Sequence, residues 1–376
     1  MTALLTGLVS LLVFGAVILV HELGHFLAAR HCGIHVEEFS IGFGPKIFQR
    51  RRGSTTYTLR LFPLGGYNLF SPLPEDNEDE DAEETAAPAP QPAPKQPRRR
   101  SLFPVVVQDQ PFEEATAWQR FIVTLSGAMM NFVLGFVVMA ILITAQSEPI
   151  TSKVLYQVEE NALCGQTGLQ AGDKILAVNG RRCFVANDIL YELMRTEDYT
   201  ADFTVLRDGK KVELPGVQFD TWQDDKGETH MSQGFTVYGI KKTPLNVLKE
   251  AGNSVLYYGR IIFASLSDLL RGRESINDLS GPVGIVTAIG QAASYGWQDL
   301  LEMLALITVN VGIFNLLPFP ALDGGKVVFL LIEGVTGHAV PEKIQSGLTV
   351  AAFALLFGLM IFATYNDILR LITGAM

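Results

Sequence analysis

The chain is poor in cysteine, histidine and charge. Its 376 residues include three cysteines, six histidines and three tryptophans, and charged residues make up 18%. Three cysteines are too few for a disulfide framework. Cys164 and Cys183 could pair or could each act as a small buried hydrophobe, and Cys32 has no evident partner. Positive charge is also scarce: 29 Lys and Arg against 39 Asp and Glu leave a formal charge of −10, so nothing in the balance points to nucleic acid as a partner. The N-terminus lacks the basic n-region and small-residue cleavage site of a secretory signal, so its first apolar run reads as a retained helix.

What the chain does have is apolar sequence in blocks. Hydrophobic residues account for 48%, and they concentrate at 4–20, 121–145, 301–317 and 348–363. Each block is near the length of about 20 residues needed to cross a hydrocarbon core. Four spans are therefore expected. The loop between the first two is rich in Arg and Lys, including Arg50, Arg51, Arg52, Arg98, Arg99 and Arg100, which places it in the cytoplasm under the positive-inside rule. Both termini and the long segment 147–299 then lie outside, and the protein is a multi-pass protein of the cytoplasmic membrane.

At the cytoplasmic end of the first span stands the string HELGH, residues 21–25. Two imidazoles four apart share one helix face and can hold a zinc ion, while Glu22 between them can serve as general base on a water the metal activates. A charged cluster facing lipid would be costly, so the membrane setting favours a functional reading of His21, Glu22 and His25. A catalytic zinc takes a third protein ligand, and the best is Asp323, in NLLPFPALDGG at 315–325. Pro318 and Pro320 break the third span there, and Gly324 with Gly325 would let the backbone turn tightly to present the carboxylate. Both halves of the ligand set fall on the same leaflet. His31 and His35 do not continue the helical face of His25 and read as polar loop residues.

The acidic run at 75–84 and the prolines that follow it read as a disordered cytoplasmic insertion. In the external segment, GLQAGD at 168–173 and VNG at 178–180, followed by a helix-like stretch at 185–195 and strands at 203–206 and 211–214, resemble a PDZ domain. Such a domain accepts an extended terminus as an added strand. It could bind a trimmed substrate end or act as a size filter that excludes untrimmed ectodomains. Residues 245–270 are apolar at intervals but carry Lys249, Glu250, Arg260 and Asp268, which favours an amphipathic helix at the outer interface, and SGPVGI at 280–285 reads as a turn beside a gate.

HELGH with its continuation FLAAR, FSIGFG at 39–44 and NLLPFPALDGG at 315–325 together resemble the site-2 protease family, of the bacterial regulator of sigma-E protease type. The resemblance runs over nearly the whole chain. It implies zinc held by His21, His25 and Asp323, with Glu22 activating water. It also implies substrate-binding roles for Asn315, whose alternative is interhelical packing, and for Asn131 in GAMMN at 127–131. Ala128 stands where many members have proline, and Lys326 where a histidine is common. The family carries a re-entrant sheet after the first span. Here TTYTLRL at 55–61, with glycines at 42, 44, 65 and 66, could form it and bind substrate by strand addition, unless it is an ordinary cytoplasmic hairpin.

The expected fold is a polytopic α-helical membrane protein with four transmembrane helices, a membrane-associated re-entrant β-sheet and one extracytoplasmic PDZ domain. The expected divisions are the first span with HExxH at 1–26, the sheet at 27–70, the insertion at 71–112, the second span at 113–146 and the PDZ domain at 150–242. An interfacial helix and gate region at 243–298, the third span with the Leu-Asp-Gly motif at 299–325 and the fourth span at 345–367 follow. The expected activity is zinc-dependent cleavage of single-span proteins, such as an anti-sigma factor or remnant signal peptides, after prior trimming. Two competing classes are a catalytically silent membrane-tethered PDZ binding module and a metal transporter. Intact His21, Glu22, His25 and Asp323 argue against the first. The second would need further polar residues along the spans, and these are largely absent.

Overall fold

A computed structural model of the chain describes residues 2–70, 110–196, 198–224, 227–273 and 275–373. The acidic, proline-rich insertion expected at 71–112 lies outside these residues except for its last three. In chain order the elements are α1 (Ala3–His31), β1 (Glu38–Arg52), β2 (Thr55–Leu69), α2 (Ala117–Ala145), β3 (Ile150–Val158), α3 (Leu163–Gln166), β4 (Lys174–Val178), β5 (Arg181–Arg182) and α4 (Ala186–Leu193). There follow β6 (Thr200–Arg207), β7 (Lys210–Gln218), β8 (Thr221–Gln223), β9 (Thr229–Met231), β10 (Phe235–Ile240), α5 (Pro244–Leu270), α6 (Pro282–Tyr295), α7 (Trp297–Leu316), α8 (Asp323–Thr336) and α9 (Glu342–Thr373). Among the described residues, four helices are long and apolar enough to cross a membrane: α1, α2, α7 and α9. They coincide with the four apolar blocks. Large apolar side chains such as Leu12, Val137, Val350, Phe353 and Leu355 are exposed along them, as lipid contact requires.

The chain divides into two compact units, residues 7–131 with 311–361, and residues 1–6 with 132–310 and 362–376. In the first unit, α1 runs 11 residues past the apolar block, so the HELGH string is helical and His31 closes the helix rather than lying in a loop. Gly24 lets α1 approach α2 closely: a Cβ there would stand 2.8 Å from Met130 Cγ and press on the Ser126 carbonyl. Beyond His31, Ile34 and Val36 are buried with Ala29, Ala115 and Val123, which fixes the entry of β1 against the start of α2.

β1 and β2 are long strands that pair with each other more than once. Residues 38–41 lie between two segments of β2, with Glu38 opposite both Leu69 and Thr56 and Ile41 opposite both Gly66 and Leu59; the end of β1 then pairs back, Arg50 with Tyr57 and Arg52 with Thr55. The result is a small sheet in which residues 66–69 form one edge. Gly42 and Gly44, with φ of +87° and +85°, supply the bend after residue 41. Arg60 ties the layers together, donating to Ser40 Oγ (3.0 Å), Glu38 Oε1 (3.2 Å), the Gly44 carbonyl (3.1 Å) and Tyr67 Oη (2.6 Å). At the far end Phe43, Ile47, Phe48 and Phe62 are all more than half or about half exposed.

The second unit holds a sheet of order β10-β3-β4-β6-β7, with β5 paired to β4. Its core contains Leu155, Ile175, Val178, Ile189, Phe203 and Val217, together with Cys164 and Cys183. Both cysteines are buried free thiols, so they serve as small hydrophobes. Asp173, fully buried in the GLQAGD loop, is satisfied by Arg207 Nε and Nη2 at 2.7 Å each. Helix α5 begins at an N-cap, Thr243, whose hydroxyl accepts from Asn246 N. It carries Arg260 onto Asp188 and Glu192 of α4 and Asp268 onto Arg195, so charged residues of its amphipathic pattern join α5 to the sheet domain. The expected turn at 280–285 is instead the start of α6. Its N-cap, Gly281, has no side chain, and Asp367 of α9 caps it, accepting from Gly281 N (3.1 Å) and Gly284 N (2.8 Å).

Candidate active site

On α1, His21 and His25 project from one face a turn apart, their rings edge-on at 4.8 Å. Pro318 and Pro320 end α7 at Leu316, and after a short turn α8 starts at Asp323, where the helix dipole favours a carboxylate. Gly324 and Gly325 belong to the first turn of α8, a correction to the expected tight turn. They are needed because the Leu317 and Phe319 carbonyls pack where a Cβ would stand. A residue 298 positions along the chain is thereby set against the α1 histidines.

The three ligand atoms form a nearly equilateral triangle. His21 Nε2 and His25 Nε2 are 3.2 Å apart, and Asp323 Oδ2 lies 3.1 Å from each. A tetrahedral ion with bonds of about 2.0–2.1 Å separates its ligands by about 3.3 Å, so this donor set fits one metal and leaves a fourth position open. Two nitrogens and a carboxylate oxygen suit zinc. The three side chains are 12–13% exposed. His25 Nδ1 donates to the Val123 carbonyl at 2.8 Å, which fixes the tautomer that leaves Nε2 free to ligate.

Glu22 lines the same cavity, of about 340 Å³, together with Gly66, Tyr67 and Asn68 from the sheet edge, Phe112, Val123, Thr124 and Lys326. Its carboxylate is gripped from the sheet: Asn68 Nδ2 donates to Glu22 Oε2 at 2.8 Å and to the Glu22 carbonyl at 3.0 Å. Gly66 has no room for a side chain, since a Cβ would stand 2.8 Å from Glu22 Cγ and 2.9 Å from the Ser40 carbonyl oxygen. A metal triangle, an adjacent carboxylate and a strand edge, in a polytopic chain, make the composition of a peptidase site.

Comparison with known proteins agrees with that composition. The sequence model of Peptidase family M50 matches residues 9–359. The chain belongs to peptidase family M50. It is 29% identical to the regulator of sigma-W protease RasP of Bacillus subtilis over 97% of this chain and 99% of that protein. The zinc metalloprotease RasP of Bacillus licheniformis is 30% identical over the same shares. A zinc metalloprotease RasP of Geobacillus kaustophilus is 29% identical, over 95% of this chain and 96% of its own.

The structure of this M50 peptidase thus gathers His21, Glu22, His25 and Asp323. It places Asn131 differently from a substrate-facing residue: fully buried, its side-chain amide lies 3.3 Å from His21 Nδ1. The structure sets Nδ2 of the amide there; with His21 Nε2 ligating a metal, Nδ1 would carry the proton and the amide would turn its oxygen to accept it. Asn315, the second-last residue of α7, is half-buried and is not among the residues lining the cavity. Gly127 faces the metal triangle from α2. A Cβ there would fall on the His25 ring and 2.8 Å from His21 Cε1. Sequence reasoning missed Asn68 as a contact of Glu22, and read Gly66 only as a turn residue. Neither carries a local signal, because each acts through a neighbour 44 to 46 residues away.

Proposed function

We propose that this chain is a zinc-dependent intramembrane endopeptidase that cuts single-span membrane proteins near the cytoplasmic leaflet after an earlier cut has trimmed their outer part. The observation that carries the reading is the 3.1–3.2 Å triangle of His21, His25 and Asp323, with Glu22 held beside it at a sheet edge. Zinc held there supplies Lewis-acid polarisation of the scissile carbonyl and of the attacking water. Glu22 accepts the proton of that water and passes it to the leaving amine. His25, oriented by the Val123 carbonyl, and His21, oriented by Asn131, keep the donor set rigid.

A spanning substrate is helical, and its peptide bonds are shielded until it is drawn out. Among the described residues, 66–69 form an open strand edge lining the site, so the substrate adds there as an extended strand. The exposed Phe43, Ile47, Phe48 and Phe62 support a sheet that dips into the bilayer, with Arg50, Arg51 and Arg52 at the headgroups. Asn315 lies outside the cavity lining, and a contact to the substrate backbone is proposed for it on the family resemblance alone. This orientation puts both termini outside. The sheet domain built from β3 to β10 is read as a PDZ domain, its edge strand β10 available to a trimmed substrate terminus or its bulk acting as a filter. An anti-sigma factor is the proposed substrate class, supported by a relative named as a regulator of sigma-W protease.

The test is co-expression with a tagged single-span reporter, comparing the parent with Glu22→Gln and Asp323→Asn. The parent should release a membrane-trimmed fragment and both variants should lose it. Undiminished cleavage by both would overturn the mechanism.

A further inference from the structure

Asn68 occupies an unusual place, because it belongs to the sheet edge and not to the helix that carries the base. It stands opposite Phe39 in the register, and its side chain leaves the sheet toward α1. A primary amide has two N–H groups, and here both find acceptors on one residue: the Glu22 carboxylate at 2.8 Å and the Glu22 backbone carbonyl at 3.0 Å. Because both facing atoms can only accept, the orientation of the amide follows from the contacts. The contact to the carboxylate is charge-assisted and therefore the stronger of the two. Gripping a flexible side chain at its head and at its root selects one rotamer from several.

Two further contacts narrow the position. Gly66, on the same edge strand, leaves the space that the Glu22 methylene fills, and Ser40 holds that strand from the other side. Tyr67 between them is held by Arg60 at 2.6 Å. The edge strand is thus fixed to the sheet through one face and to Glu22 through Asn68.

We propose that Asn68 is a positioning residue that aims Glu22, so that the strand which receives the substrate also sets the base. This rests on the reading of Glu22 as general base and of residues 66–69 as the docking edge. Removing the amide leaves the backbone edge intact, so substrate should still dock, while Glu22 samples rotamers from which it cannot take the proton. The loss therefore falls on kcat and not on KM.

The experiment uses the full-length, zinc-loaded enzyme in proteoliposomes with a single-span reporter substrate, comparing the parent with Asn68→Ala, Asn68→Asp and Glu22→Gln, with zinc content as the check on folding. Asn68→Ala should lower kcat about 10- to 100-fold, the usual cost of removing an orienting partner, with KM within about twofold. Asn68→Asp, of the same shape, should be slower still, because it sets a carboxylate against a carboxylate. If Asn68→Ala loses zinc, the nearly isosteric Asp variant decides by the same criterion. An unchanged kcat, or a loss confined to KM, would overturn the proposal while leaving the protease reading intact, provided Glu22→Gln is inactive. Cleavage by Glu22→Gln at the parent's rate would instead remove the reading on which it rests.

Discussion

Gly66→Ala and Gly127→Ala introduce the same methyl group on two sides of one site and should fail in different ways. At Gly66 the new Cβ would stand 2.8 Å from Glu22 Cγ and 2.9 Å from the Ser40 carbonyl oxygen. Carbon atoms rest at about 3.5–4.0 Å, so relief requires Glu22 to retreat by about 1 Å and residue 66 to shift away from the Ser40 carbonyl. A misplacement of that size costs about 100-fold in rate, or about 2.7 kcal/mol of barrier. No metal ligand is touched, so zinc should stay. At Gly127 the Cβ would fall on the His25 ring and 2.8 Å from His21 Cε1, so both imidazoles must move and the triangle opens. Zinc affinity should fall with activity. The assay is reporter cleavage in proteoliposomes alongside the zinc content of the same preparations. Full activity in Gly66→Ala, or zinc loss in Gly66→Ala with zinc retained in Gly127→Ala, would refute the packing argument.

Other consequences can be checked independently. Deleting residues 150–242 should raise cleavage of untrimmed reporter if the β3–β10 sheet domain is the proposed external filter, and unchanged cleavage would remove that role. In intact cells, cysteines introduced at Arg51 and at Trp222 should label with an impermeant maleimide only at Trp222, and labelling at Arg51 would reverse the proposed orientation. Burial pushes the Cys183 thiol up to about 12 and raises that of Cys164, so neither should alkylate in the folded protein at neutral pH; rapid labelling would contradict their place in the core. The hydrogen bond from Arg195 holds the Asp268 carboxyl below its usual range. A lowered folded value means the contribution is full above the unfolded pKa of about 3.9 and is lost as pH falls through the folded one. Protection of α5 amides, taken relative to the intrinsic exchange rate at each pH, should therefore fall only in acid, and should not fall in Asp268→Asn relative to its own neutral value.

Much of the architecture was legible because bilayer physics writes it into composition. Four apolar blocks had to be helices, and all four are. The ligand set was legible for a similar reason: His21, Glu22, His25 and Asp323 are costly at membrane depth without a task. What sequence could not give were contacts between distant segments. Asn68 looks like any strand asparagine until the register brings it to Glu22. Asp367 looks like a polar residue closing the last span, yet it caps α6 across more than 80 positions. Arg260 and Asp268 marked 245–270 as amphipathic, but charge pattern alone does not name the ion-paired partners, Asp188, Glu192 and Arg195, that they meet. Gly324 and Gly325 signalled a turn, the common reason for paired glycines, where the cause is close backbone packing in a helix.

The central claim is that one zinc ion is shared between α1 and the start of α8. Elemental analysis of purified protein after dialysis against a weak chelator tests it most directly, with the parent, Glu22→Gln and Asp323→Ala measured together. The account predicts one zinc per chain in the parent and in Glu22→Gln, and loss of zinc from Asp323→Ala. Stoichiometric zinc in Asp323→Ala, held as tightly as in the parent, would contradict it.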